Sequence, residues 1–535
     1  MAETVGLLII GAAGAGEIGG IAGLGTLAGT TVAGFSLASV VGATAIIGVS
    51  IGLQYALSKP QVPKPEQGSQ ALKQSVPPRI RGYGTNRLAG YYMLFEAGGS
   101  PPAVSYDVVA FHSGSITSIG NIYLSDDPVF LNIDINSGGT ATVTGTGAGD
   151  ERYVGLVLIE ARLGAASQAP LNMLTTDPRI SDVWTPAHRG DGIAYVGLAC
   201  AGMPDASVFT RVYPRNKPEI SVVANCSPCL DRRDGLVKFT TNPVIQLMDY
   251  LTRVDGGMGL DYDTAIAPNL SQWLNEANVC DEVVATASGA LEPRYASHGW
   301  FEFGNAPENV IGSLLTTCDG WLAEAGDGSL TLTVGNYREP TEPPLTEKHI
   351  MGFALNYGQA DEELVNQLDI TFTDPSARYV SVQTEPWRDE EMISQAGIVR
   401  AKTMDLTWVQ SNSQAQRLAD RAMQRLNALM TGSFTTTLYG LRYLGKRWVK
   451  LQYPFISGLQ DCVVEIQGAE VDLLGGTIVW QFLRIQPDFI EAYDPETDEG
   501  APPVVPPIAN TAALLHEDAS FYIREHNSTY IREDA

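Results

Sequence analysis

At 535 residues the chain exceeds what one hydrophobic core organises, so several domains are expected. Sixty acidic residues against 34 basic ones give a formal net charge of −26, which opposes the counterion release by which proteins hold duplex DNA and disfavours sequence-specific DNA binding. A wall of that sign suits a conduit, because it repels phosphate and lets DNA slide through without sticking.

The N-terminal segment, residues 1–58, stands apart. Residues 5–57 are almost wholly Gly, Ala, Val, Ile, Leu, Ser and Thr, and no charged residue occurs from Ile18 to Ser58. Glu3 and Glu17 stand where a secretory signal would carry basic residues, which argues against a cleaved signal. The length permits one or two membrane spans of about 20 residues each. Small residues recur four apart at Gly16 and Gly20, Gly19 and Gly23, Gly25 and Gly29, and Gly48 and Gly52, the spacing that lets helix backbones approach closely. A helical segment packed on sister copies inside an assembly is one reading, and a segment that enters a host membrane is the other. The glycine load, unfavourable to a lone helix, favours burial.

Residues 59–75 carry prolines, Gln, Ser and charge, the composition of a linker. Residues 76–221 read as a β-rich region. Arg79 to Glu96 is an arm, a glycine turn and a strand, and Tyr106 to Asp126 is a strand pair broken at His112-Ser-Gly114 as a hairpin turn. Short strands follow at Tyr153–Ala161 and Gly192–Cys200.

Residues 222–345 mix helix and strand. Pro243 to Leu251 places Val244, Leu247, Met248 and Leu251 on one helical face. A second helix begins at Asn305, with Glu308 at capping-box spacing and an apolar stripe of Val310, Ile311, Leu314, Leu315 and Cys318. Trp321 to Val334 reads as a hairpin with an Asp-Gly turn. In residues 346–490 strands return around a third helix, 413–430, with Ala415, Leu418, Ala419, Ala422, Leu426 and Leu429 inward. Arg417, Arg421 and Arg425 repeat every four residues on it, and a solvated face pairing with acids such as Asp420 is favoured over a DNA-contacting row.

Residues 491–535 lose periodicity, gain Asp, Glu and Pro, and end in a short duplication, Phe521-Tyr-Ile-Arg-Glu525 and Thr529-Tyr-Ile-Arg-Glu533. Phe521, Tyr522, Ile523, Tyr530 and Ile531 are candidate partner-docking residues, for two equivalent grooves or one groove with avidity, with chance similarity as the alternative.

Chemical motifs are sparse. Cys226 and Cys229 resemble half of a zinc site, but no second ligand pair follows, so structural thiols are expected and no cofactor is implied. There is no nucleophile elbow, phosphate-binding loop or zinc-protease helix, and the acidic groups Asp389, Glu390, Glu391 and Asp126, Asp127 lie in polar runs expected to be exposed loops. No catalytic residue is assigned, and the chain is expected not to be an enzyme.

Taken together, these segments resemble the tail-tip attachment or host-specificity proteins of lambda-like phages and the related hubs of other long-tailed phages and gene transfer agents. The resemblance is carried in order by Arg79–Glu96, Ala110–Ile119, Arg162–Ala169, Trp184–Tyr195, Thr241–Leu251 with Gly256–Leu260, the Asn305 helix, the Gly326-Asp-Gly-Ser-Leu hairpin, and the Ala415–Leu429 helix leading to Tyr443–Leu451. It covers about residues 75–490 and implies a mainly β, multidomain hub with an α+β insert. Tail-tube-like β-barrels would occur twice per chain, so that three subunits continue a six-fold tube as a pseudo-hexameric ring.

The resemblance also implies partners: a homotrimer, distal tail proteins, the C-terminus of the tape-measure protein, and DNA in transit. It places the apolar N-terminus near the lumen as a plug, at the distal end of the virion's tail. The chain stops soon after the last barrel, where larger relatives continue into receptor-binding domains, so fibre or tip proteins are expected on its C-terminal tail. The competing readings are a membrane-anchored β-rich transport or adhesion protein, using residues 5–57 as spans, and a tail-associated cell-wall hydrolase.

Overall fold

The computed structural model describes residues 45–47, 77–100, 103–486 and 493–503, apart from 148, 150, 204, 215 and 359–363, together with 514–515, 521–525 and 529–532. The fold is mainly β, with curled sheets and a smaller helical part.

The first sheet has nine strands, in the order Thr85–Leu88, Ile220–Asn225, Ser118–Leu124, Asp127–Leu131, Ala141–Thr146, Val157–Leu163, Ile193–Cys200, Val104–Ser113 and Tyr91–Gly98, with antiparallel neighbours throughout. Its two outermost strands are consecutive in the chain, joined only by Ala89 and Gly90. A nine-strand ribbon whose ends are two residues apart cannot lie flat; it curls, as a closing barrel does. Gly90 makes the corner at φ +76°, and a Cβ there would lie 2.1 Å from the Ala110 carbonyl oxygen. Val109, Phe111, Ile122, Leu124, Ile159 and Val222 fill the concave side. Leu171, Leu174 and Trp184 cover Tyr106, Val108 and Tyr195 from outside, which is why Val104–Ser113 is buried on both faces.

His112-Ser-Gly114 does not form the expected hairpin. The strands on either side never pair with each other: Val104–Ser113 lies between Ile193–Cys200 and Tyr91–Gly98, whereas Ser118–Leu124 lies between Ile220–Asn225 and Asp127–Leu131. The segment is a corner instead. His112 is fully buried there, with Nε2 3.1 Å from Ser227 Oγ and Nδ1 3.1 Å from the Gly114 oxygen, and burial drives its imidazole down to about 4.

Among the described residues four helices have ten or more residues: α1 (Pro243–Thr252), α2 (Leu270–Asp281), α3 (Pro307–Thr317) and α4 (Asn412–Leu426). The Asn242 side chain caps α1 by accepting from Val244 N and Ile245 N, ahead of Pro243 in the first turn. Helix α3 starts later than its sequence suggests. Its cap is Ala306, with no side-chain capping bond and Pro307 at the first position, so Asn305 and Glu308 form no capping box. The hairpin Trp321–Glu324 with Leu330–Thr333 follows as expected, with Gly328 at φ +82°. These elements share one core with a four-stranded sheet in which Gln367–Asp374 pairs with Val380–Gln383, Trp387–Arg388 and Ala401–Leu406. Helix α4 buries Ala415, Leu418, Ala419 and Ala422 in that core, but it ends at Leu426; Leu429 lies beyond it and is 62% exposed instead of inward.

The last large sheet has seven strands, with Leu345–Thr346, Trp448–Gln452, Cys462–Asp472, Thr477–Arg484, Met430–Thr437 and Ile350–Tyr357 in spatial order. Ala45–Ile47 adds to Cys462–Asp472, Ile46 opposite Glu470. It is the only part of the apolar N-terminal segment among the described residues, so the helical reading of that segment lies outside them. Phe434, Trp480 and Phe482 centre this core.

Replacing Gly90 by alanine is expected to destabilise the protein by at least about 2 kcal/mol, from left-handed strain and the carbonyl clash. Thermal unfolding measures it, and an unchanged midpoint would show that the corner relaxes freely.

Candidate functional site

Helix α4 begins where Ser411 Oγ accepts from Gln414 N, and its apolar face fixes its rotation against the core. That rotation carries Arg417, Arg421 and Arg425 inward. The expected solvated row is therefore buried: Arg417 is 9% and Arg421 8% exposed, and the Arg425 side chain 7%. The buried alkyl stems add to the apolar contact; Arg417 meets the half-buried Glu292, and Arg421 and Arg425 meet carboxylates that are themselves inside.

Arg425 is the centre of the set. Its Nη1 and Nη2 donate to the two oxygens of Asp319 at 2.8 and 2.9 Å, and its Nε donates to Glu465 Oε1 at 2.9 Å. Arg447 closes the other side, donating to the Asp319 backbone oxygen at 2.7 Å and to Asp319 Oδ1 at 3.0 Å, with its Nε 3.5 Å from Glu465 Oε2. Arg421 Nη1 lies 3.5 Å from Asp319 Oδ2. Trp448 Nε1 and Gln467 Nε2 donate to the remaining Glu465 positions. Five ionised groups from the loop after α3, from α4, and from the seven-stranded sheet thus meet out of water.

Burial by itself would raise the Asp319 carboxyl, but Arg425, Arg447 and Arg421 outweigh it and hold it well below the carboxylate range. Glu465 behaves alike, lowered by Arg425 and Arg447 against its burial. Because both folded pKa values are depressed, the stability they contribute is present above the ordinary carboxyl range and is lost only as pH falls through the folded values.

Across the outer side of α4 runs residues 493–503, a strap. Asn412 Nδ2 donates to the Gly500 oxygen at 3.0 Å, and Ser413 Oγ donates to Glu499 Oε1. Glu499 Oε2 accepts from Ala287 N at 3.0 Å, and Ala501 N donates to Glu385 Oε2 at 2.7 Å. A carboxylate at the first turn of α4 also meets the positive end of the helix dipole. At the strap's other end the packing is acid on acid. Asp420 is pushed up to about 6 by burial and by Asp498, against the lowering influence of Gln424, Arg421 and Trp387, and Tyr493 lies in the same field.

The remaining sequence candidates fall elsewhere. The glycines Gly16, Gly20, Gly25, Gly29, Gly48 and Gly52 lie outside the described residues. The C-terminal duplication forms two strands, Phe521–Glu525 and Thr529–Arg532, paired antiparallel so that Tyr522 faces Arg532, Ile523 faces Ile531 and Arg524 faces Tyr530, with Leu514–Leu515 on the outer edge. Cys226 and Cys229 are both buried, their thiols donating to the Ala224 and Ser227 oxygens, and burial pushes Cys226 up to about 12.

Asp127 is buried and not in an exposed loop, whereas Asp126 lies in the turn with its side chain 47% exposed. They turn the strand pair Ser118–Leu124 and Asp127–Leu131, with Asp126 bound to Arg87 and the 3%-exposed Asp127 bound to Arg152. Asp389 is the cap of helix Glu390–Ala396, accepting from Met392 N at 2.8 Å. Sequence reasoning missed Asp319, Arg447 and Glu465 altogether. Glu465 sits inside the apolar run Cys462-Val-Val-Glu-Ile466, and a lone acid in such a run was the available signal.

Residues 306–441 match the model of a family described as "Putative phage tail protein". The matched span opens at α3 and carries Asp319, the hairpin and the whole of α4. No curated protein matches the chain. Among solved structures, a chain from the virion of a native gene transfer agent particle is 13% identical, covering 82% of this chain and 92% of that one at a TM-score of 0.49. The 43 kDa tail protein of prophage MuSo2 from Shewanella oneidensis is 10% identical, covering 77% and 99% at 0.27, and the tail protein from Neisseria meningitidis MC58 is 11% identical, covering 76% and 95% at 0.28.

Two outcomes follow. Replacing Arg425 by methionine strands Asp319 and Glu465 and should cost about 3–5 kcal/mol in urea unfolding, whereas a loss under about 1 kcal/mol would mean that water or Arg447 replaces it. Since the docked Asp420 pKa is above the ordinary value, the strap should hold fully below about pH 4 and loosen as pH rises through 6. Hydrogen exchange of residues 493–501, normalised for intrinsic rate, should be faster at pH 7.5 than at pH 5, and Asp420→Asn should flatten the difference.

Proposed function

We propose that this phage tail structural protein is the central hub of the tail tip: three copies continue the tail tube, close the DNA channel before infection and open it for genome ejection. The observation that carries the proposal is the presence of two curled, largely antiparallel sheets in one chain, of nine and seven strands, each with an apolar core of its own. Two such units per subunit allow three subunits to present six, the match that a six-fold tube requires. The network of Asp319 and Glu465 keeps the helical core and the second sheet at fixed relative positions, which a load-bearing ring needs.

The net charge of −26 suits the channel, since DNA in transit is repelled and not retained. Among the described residues no helix is long and apolar enough to cross a membrane. The apolar residues 5–57 supply the plug at the lumen, where they meet their counterparts from the other two subunits and the tape-measure protein's C-terminus. The paired C-terminal strands supply a docking point for fibre or tip proteins, and distal tail proteins join the ring above. The role is structural, with no catalytic residue assigned.

Quantitative mass spectrometry of purified virions, against a major tube protein of known copy number, should give three copies of this chain per tail. Any number that is not a multiple of three would overturn the trimeric hub. Deleting residues 511–535 should leave intact tubes that lack fibres; particles that keep their fibres would remove the docking role from that segment.

A further inference from the structure

In the seven-stranded sheet, Cys462–Asp472 has one edge covered from Val464 to Asp472 by Thr477–Arg484. Its other edge is shared. Trp448–Gln452 pairs only with the stretch from Cys462 to Glu465, and just ahead of it the Arg447 oxygen accepts from Ile466 N at 2.8 Å. Beyond that point the edge would present unpaired backbone N–H and C=O groups. Ala45–Ile47 takes the place, antiparallel, with Ala45 opposite Val471 and Ile47 opposite Ala469.

The direction of that strand decides where the preceding residues go. Stepping back from Ala45 moves along Cys462–Asp472 toward its end, the turn Asp472-Leu-Leu-Gly-Gly-Thr477. Turns between strands are usually polar, but here Leu473 is 69% and Leu474 82% exposed. A built turn presents them, since Asp472 Oδ1 accepts from Leu474 N at 3.0 Å and from Gly475 N at 2.8 Å. The exposed Leu438 and Leu441 stand at the same end of the sheet, because Thr437 pairs with Thr477 and Gly440 lies close against Thr436. The residues ahead of Ala45, from Phe35 to Thr44, carry no charge and supply Phe35, Leu37, Val40 and Val41.

We propose that this end of the seven-stranded sheet is the seat of the chain's own apolar leading segment: Ala45–Ile47 anchors the segment by strand addition, and residues 35–44 cover Leu473 and Leu474. Backbone pairing fixes the position and the leucines supply apolar contact, the two parts of recognition at a sheet edge. Tethering favours the chain's own segment over that of a separate molecule, because it holds the strand at an effective concentration on the order of millimolar. This docking belongs to the single chain and stands whether or not the tail-tip reading does; within that reading, it fixes where the plug is rooted.

The test places cysteines opposite each other in the full chain, Ile46→Cys with Glu470→Cys, where the six native cysteines are all buried. After mild oxidation, a denaturing non-reducing gel and peptide mapping should show a 46–470 disulfide within one chain. Ile46→Cys with Phe455→Cys, exposed beyond the opposite end of Cys462–Asp472, should cross-link at least tenfold less. Leu473→Asp with Leu474→Asp, at positions exposed enough to leave the unfolding midpoint in place, should lower the 46–470 yield at least fivefold by setting two carboxylates against the apolar segment. Equal yields for the two cysteine pairs, or a yield untouched by the aspartates, would overturn the proposal. So would disulfides found mostly between chains, which would make the edge a site of strand exchange between copies.

Discussion

Five ionised side chains sealed away from water set the terms for the central part of this protein. Asp319 and Glu465 cannot remain ionised inside unless guanidiniums reach them, and those guanidiniums come from α4 and from Arg447, the residue just before a strand of the seven-stranded sheet. Each element is therefore fixed relative to the others by a requirement stricter than apolar contact. A greasy interface can slide by a fraction of an ångström at small cost, whereas a bidentate pair at 2.8 and 2.9 Å cannot. Replacing such a network by apolar residues is often harmless in simple stability terms, so its value here is positional. It sets where the second sheet stands on the helical core.

The nine-stranded sheet is attached by smaller devices of the same kind. Arg79 bridges Ser113 and Asp255, Tyr83 donates to Asp249, and Arg87 stacks on Tyr123 while holding Asp126, Ser221 and the Arg378 carbonyl. Arginine recurs at these junctions because one planar fork can satisfy several acceptors on different elements at once. Of the chain's positive charge, much is consequently turned inward, and the acidic excess is left to face solvent and the proposed channel.

Much of this organisation was legible in the residues. Pro243-Val-Ile-Gln-Leu-Met announces α1, the Asp327-Gly328 turn announces its hairpin, and the apolar stripe of α4 gives the core-facing side correctly through Ala422. What failed, failed for nameable reasons. The four-residue repeat of Arg417, Arg421 and Arg425 looks solvated because its partners, Glu292, Asp319 and Glu465, are at least 40 residues away in sequence, and periodicity carries no information about such pairs. Leu429 follows the helical spacing but falls past the end of the helix, where spacing ceases to have meaning. His112-Ser-Gly114 has turn chemistry, yet a turn fixes only a change of direction; whether the flanking strands pair is decided by strands that arrive a hundred residues later.

If the buried network locks the helical core to the seven-stranded sheet, the two must unfold together. Differential scanning calorimetry of the wild type beside Asp319→Asn tests this most directly. A single heat-absorption peak in the wild type that splits into two in the variant, with the second sheet melting apart from the helices, is the result expected. A variant whose peak shifts but stays single, or a wild type already showing two, would contradict the account.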